Sequence, residues 1–312
     1  MRILRTLLVA FLPVFMSATN WAQQDRPKPL VDQIRSLEIA VERPPAKDDG
    51  ATWLKLAVLR QDAAEYRDSE RAYRRALALL RHGNPAFLAD ALDQMGTMYV
   101  ERGEFSKAEQ LERKALAIRE ERGDSLGIGV SHMHLAVLSL GRRDLASAEV
   151  DAEIGVNLLV PERTSSAAQS VATPEQKMTA LIDLSLTRCA RGACASAIPD
   201  LQRALQIAHA NYSKDSIPVG FLDFLLGYAS WQSAGNESGG ELMKNGIQEL
   251  ETQIGWGHPT YLSALRQYKS FLMRNGHTTE ATAIEAKLSH LERSSDARHV
   301  QPQDAYIQLS QP

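Results

Sequence analysis

The sequence predicts an all-α chain made of about six helical hairpins set one after another, and three observations predict it. The first is residues 92–118, LDQMGTMYVERGEFSKAEQLERKALAI. Leu92, Met95, Gly96 and Tyr99 recur at i, i+3, i+4 and i+7, one stripe on a helix. Arg102 and Gly103 break the pattern, and Phe105, Ala108, Leu111, Ala115 and Ile118 begin a second stripe of the same period. Gly96 and Ala108 are small where the stripes should meet, so two antiparallel helices can approach closely, and a larger residue there would overpack at about 1–3 kcal/mol. The second observation is recurrence: a small residue opening the second helix of each pair falls at Ser69, Ala108, Ala148, Ala197, Gly239 and Ala281, at intervals of 39, 40, 49, 42 and 42 residues. The third is composition. Of 312 residues, 44% are apolar, 23% charged and only 6% aromatic, with Ala and Leu abundant, which suits helices packed through small and aliphatic side chains.

Taken in order, Arg2 and Arg5 precede an apolar run from Leu7 to Phe15 broken only by Pro13, then a more polar stretch ending at Ala22. This predicts an export signal over residues 1–22, cut near Ala22, with Ala18 the second choice because Asn20 suits the third position before the cut poorly. The run falls short of the ~18–20 residues a membrane anchor needs, and no Cys stands near the cut to carry a lipid. The mature chain is therefore expected to be secreted or periplasmic, with no integral membrane segment. Residues 23–48 read as a linker and a short capping helix, with Leu30, Ile34, Leu37 and Val41 as its stripe and Pro44-Pro45 as its stop.

The hairpins occupy residues 49–293. The first carries Trp53, Leu56, Ala57, Tyr66, Ser69 and Tyr73, and the third carries Leu135, Ala136, Leu145, Ala148 and Gly155. A Gly inside a helix costs about 1 kcal/mol against Ala, so the third should be weaker. Residues 161–176, PERTSSAAQSVATPEQ, read as an inserted loop. The fourth hairpin has Leu184, Ser185, Gly192, Cys194, Ala197 and Leu201; the fifth has Leu226, Gly227, Gly239 and Gly246 with NESGG interrupting its turn. The sixth opens on Gly257-His258-Pro259-Thr260 and continues through Leu265, Tyr268, Leu272, Gly276, Ala281 and Leu288. Residues 294–312 are polar and read as a disordered tail.

In the second hairpin Leu92, Met95, Gly96, Tyr99, Gly103, Phe105, Ala108, Ala115 and Leu116 resemble the tetratricopeptide repeat. Units near 42 residues, with His-Pro before a first helix, are similar to the kinesin-light-chain type, and the resemblance covers roughly residues 49–293. It implies an α-α superhelix, the solenoid of such repeats, whose inner face is lined by the first helix of each pair. It also implies a protein or peptide partner held along that concave face. The inward positions include Leu54, Val58 and Gln61; Asp93, Thr97 and Val100; Phe224, Tyr228 and Trp231; and Arg266, Ser270 and Met273. From these, Phe224, Tyr228, Trp231, Asp93, Thr97 and Arg266 are the peptide-binding candidates. The three aromatics stand at i, i+4 and i+7 and would supply buried area with few rotamers to freeze, or would pack against the next repeat. The Lys and Asn clamp with which chaperone-adaptor members grip a terminal carboxylate is missing from these positions.

The net charge is −3; without the first 22 residues, which hold Arg2, Arg5 and no acid, 33 basic face 38 acidic residues, for −5. With no basic block, nucleic acid is not an expected partner. Cys189 and Cys194 are the only cysteines, too few for a multi-thiolate zinc site. They straddle the fourth turn and are either a disulfide worth about 2 kcal/mol or two buried thiols. His132 and His134 stand about 200° apart around a helix, so no metal site is expected, and His258 is assigned to a helix start. No nucleophile, metal-protease, phosphate-loop or dinucleotide pattern occurs, so neither a catalytic residue nor a cofactor is expected. The expectation is a non-catalytic exported scaffold. The alternatives are a structural subunit of a cell-envelope complex and a hydrolase using acids such as Asp93 or Asp183.

Overall fold

The computed structural model describes residues 30–161, 172–234, 237, 239–254 and 258–296. The expected export signal, the linker to residue 29 and most of the tail lie outside them. Within the described residues one short helix is followed by twelve longer ones in six pairs. Helix α1 is Leu30–Val41, and a single 3₁₀ turn, Ala46–Asp48, leads into the first pair, α2 (Gly50–Asp62) and α3 (Tyr66–Leu80). Then come α4 (Pro85–Glu101) and α5 (Phe105–Arg122), α6 (Ser125–Gly141) and α7 (Leu145–Leu159), α8 (Pro174–Ala190) and α9 (Cys194–Asn211). The last pairs are α10 (Ile217–Ala234) with α11 (Gly240–Ile254), and α12 (Pro259–Arg274) with α13 (Thr278–Asp296). The described chain is all-α, in the expected six hairpins. No described helix is long and apolar enough to cross a membrane.

Two compact units divide at Leu138 and Ser139, inside α6. In the first, α1 packs on α2, α2 on α3, α3 on α4 and α4 on α5. Leu56, Ala57, Tyr73, Met95, Met98, Tyr99, Ala108 and Leu138 form its core. Ile34 and Val41 of α1 join that core, so this helix covers the face the first hairpin would otherwise leave bare. Ser69 takes the small position of α3 and donates to the Ala57 carbonyl at 2.8 Å, a buried hydrogen bond that Ala could not make.

In the second unit each helix from α7 to α13 packs on the next. In the fifth hairpin two helices approach closely at glycines. A Cβ on Gly227 would meet the Gly239 carbonyl oxygen at 2.5 Å and the Met243 amide nitrogen at 2.7 Å, and one on Gly246 would meet the Gly220 oxygen at 2.3 Å. The glycines that weaken this repeat as a pattern are what let α10 and α11 touch backbone to backbone.

Five of the within-pair turns are the same object. Ala64, Gly103, Arg143, Gly192 and Gly276 occupy the middle position with φ of 58°, 72°, 64°, 83° and 83°. Around Gly103 the Glu104 amide donates to the Tyr99 carbonyl at 2.8 Å and the Gly103 amide to that of Val100 at 2.9 Å. These are the two bonds of a Schellman motif, which satisfies carbonyls a helix end leaves orphaned. The same pair recurs at Ala193 and Gly192, onto Arg188 and Cys189, and at the other three turns.

Residues 162–171 of the expected inserted loop lie outside the described residues, and its last three residues are helical. Residues 174–176 belong to α8: the Thr173 hydroxyl accepts from the Gln176 amide, the Gln176 side chain accepts from the Thr173 amide, and Pro174 takes the first helical position. This is a capping box, a helix-start signal that the Ser/Thr-rich composition around it obscures.

Candidate functional site

The buried face of α5 keeps Ala108 and Ala115 of its apolar stripe and adds two charged residues. Ala108, Glu112, Ala115 and Arg119 are buried, whereas Phe105, Leu111 and Ile118 are only partly so. Glu112 and Arg119 are seven residues apart, two turns along one side of the helix. Opposite them stand Asp93 of α4, 6% exposed, and Ser131 and His134 of α6. Gly96 makes the space: a Cβ there would lie 2.8 Å from the Glu112 Oε1.

The Arg119 guanidinium pairs with Asp93 Oδ2 at 2.5 Å and Asp90 Oδ1 at 3.0 Å, and donates to the Ser131 hydroxyl at 2.7 Å. His134 Nδ1 lies 3.1 Å from Glu112 Oε2 and 4.0 Å from Asp93 Oδ2. Asp93 Oδ1 is buried and meets no N–H or O–H donor, while the Asp93 carboxyl can share a proton with that of Glu112. Burial, and then the charge of Glu112, push the Asp93 carboxyl up to about 8. Burial by itself would lower the His134 imidazole, but the Glu112 and Asp93 charges outweigh it and raise it to about 9. Both shifts have one origin, since groups that share a dry site compete for the same proton. The donors a cation would need are present: Asp93, Glu112 and His134 place one ligating atom each within 4.8 Å of one another.

The predicted site residues separate. Phe224, Tyr228 and Trp231 are 0%, 2% and 3% exposed in the second unit. Trp231 meets Tyr228 edge to face at 5.9 Å and Phe271 of α12 at 5.5 Å, with Arg274 5.3 Å from its ring centre. These rings are core, packed against the next hairpin. Arg266 of α12 is partly exposed in the same unit. Asp93 and Thr97 belong to the first unit, where Thr97 is partly exposed and Asp93 enters the charge cluster. Cys189 and Cys194 are joined, with their Cα atoms 4.2 Å apart. His258 is the N-cap of α12, accepting from the Thr260 amide at 3.2 Å. His132 and His134 stand about 200° apart around α6, and only His134 faces Asp93 and Glu112. The cluster is assembled across three helices, and its one sequence signal is a polar residue beside each apolar stripe, Asp93 after Leu92 and Glu112 after Leu111.

A repeated-hairpin protein is what this geometry defines. The tetratricopeptide-repeat family model matches residues 48–121, the first two pairs and the turn between them. Solved structures agree on the fold. BtubC (BKLC) from P. vanneervenii is 19% identical with a TM-score of 0.58, over 72% of this chain and 92% of that one. A Podosopora anserina chain of nearly identical TPR-like repeats, of the kinesin light chain kind, is 14% identical with a TM-score of 0.51, over 65% and 95%. The apo form of RapI is 12% identical with a TM-score of 0.67, over 94% and 99%. A search of curated proteins found no match.

Proposed function

We propose that this chain is a non-catalytic scaffold that binds a protein or peptide partner along the first helices of its repeats, and that it works outside the cytoplasm. The observation that supports the binding face is the half-buried row on α2 and α4, where Leu54, Val58, Thr97 and Val100 are only partly covered. Thr97 spends its hydroxyl on its own helix, donating to the Asp93 carbonyl at 3.2 Å, which leaves that row apolar toward a ligand. Residues that are partly covered yet apolar lose little by being covered further, and a partner side chain that covers them gains roughly 25 cal/mol per Å². The leader-like residues 1–22 and a cysteine pair suited to an oxidising compartment support export.

A photoreactive amino acid at Thr97, compared with one at the exposed Lys114 of α5, tests this in the native envelope or medium. One recurring protein linked from Thr97 and not from Lys114 is expected. Links from Lys114 alone would favour the structural-subunit reading. The hydrolase reading has one observation in its favour, the raised Asp93 carboxyl. One oxygen of that carboxyl, Oδ2, is paired with Arg119, so the binding reading stands first.

A further inference from the structure

The charge cluster of the first unit holds more donors than its internal pairs use. We propose that Asp93, Glu112 and His134 form a binding site for one divalent transition-metal ion of the zinc kind, with Arg119 as a positioning residue. The ligating atoms lie within 4.8 Å of one another, and the His134 to Glu112 separation is already 3.1 Å. A tetrahedral zinc with bonds near 2.0–2.2 Å holds its ligands roughly 3.4 Å apart, so small side-chain movements complete the set. Two carboxylates and an imidazole are the donors a borderline cation accepts, and they leave a fourth position for water. The His134 side chain is 18% exposed, which gives an ion and its water a way in.

A second feature points to a ligand independently. The Asp93 side chain is 9% exposed, and its Oδ1 meets no N–H or O–H donor, the carboxyl having only that of Glu112 to share a proton with. A buried acceptor without a donor is costly, and a cation satisfies it. Arg119 holds the other oxygen, Oδ2, and is itself anchored by Asp90 and Ser131. It thus fixes the carboxylate plane, as groups behind metal ligands do. Gly96 completes the design, because a Cβ at that position would push the Glu112 carboxylate away.

The test is isothermal titration of the metal-stripped full chain with zinc chloride, magnesium chloride serving as the hard-cation control. Saturable binding of one zinc per chain is expected, weakened at least tenfold in Glu112→Gln and in His134→Gln, with magnesium giving no comparable heat. No zinc binding, or binding of the same strength in both variants, would overturn the proposal. X-ray absorption of the zinc-loaded wild type decides the matter even where a variant fails to fold. One imidazole with oxygen neighbours supports the site, and two or more imidazoles, or sulfur, overturns it.

Discussion

At the scale of single residues, space decides more than hydrophobicity. Ala108 is fully buried at the α4–α5 contact, while Ala117 on the same helix is exposed. Ala108→Leu is expected to cost about 1–3 kcal/mol by overpacking, and Ala117→Leu less than about 0.5 kcal/mol. Equal thermal midpoints for the two variants would contradict the register. Glu101 shows the electrostatic counterpart. Its carboxylate accepts from Gln61 at 2.8 Å, and Gln61 in turn accepts from the buried Tyr73 hydroxyl at 2.7 Å. Burial, against the Gln61 hydrogen bond and with help from Asp62, raises Glu101 from 4.5 to about 7. A folded value above the unfolded one means the proton is held more tightly in the folded state. The contribution is therefore full below pH 4.5 and is lost as pH rises through about 7. Urea unfolding should show wild type losing about 1–2 kcal/mol relative to Glu101→Gln between pH 5 and pH 8, a figure reduced for partial exposure. A difference that does not change with pH would show that Glu101 titrates normally.

At the scale of elements, the turns carry the next two predictions. Ala64 and Arg143 sit at φ of 58° and 64°, where the other three turns place Gly. A side chain in this left-handed region costs about 1–2 kcal/mol, part of which Gly returns as unfolded-state entropy. The exposed Arg143→Gly should therefore raise stability by up to about 1 kcal/mol, read as a later urea midpoint. A lower midpoint would mean that the Arg143 side chain makes a contribution of its own. The fourth turn carries a covalent tie as well as its Schellman bonds, because Cys189 and Cys194 bridge it. Closing so short a loop removes little entropy from the unfolded chain, so reduction should cost only about 2 kcal/mol. Thermal melts with and without reductant measure this, and no shift would mean the purified chain carries free thiols.

At the scale of the whole molecule, the repeat was legible because it is a local matter. The Leu92 to Tyr99 stripe, the small residues near every fortieth position and the Gly-marked turns all repeat within one or two helices. What escaped the sequence depends on side chains that meet from distant positions. Glu112 and Arg119 join Ala108 and Ala115 on the buried face of α5, which is visible only once Asp93 and His134 are known to stand opposite. The aromatics of α10 could be read either as a groove wall or as core, and periodicity does not distinguish a face that meets a partner from one that meets the next hairpin. The start of α8 was hidden for a different reason: Thr173 and Gln176 form a capping box within a stretch whose composition reads as loop.

The uniform turn has a consequence for how such a chain can change length. Because Ala64 and Gly103 occupy equivalent points of the same backbone clasp, a crossover that fuses residue 64 to residue 104 excises residues 65–103, joins α2 to α5 and rebuilds an identical closure. The reverse event duplicates a whole unit without shifting any helix off its stripe. Gene-level gain and loss at these points is therefore quantised, and lengths between whole units carry the penalty of a broken clasp.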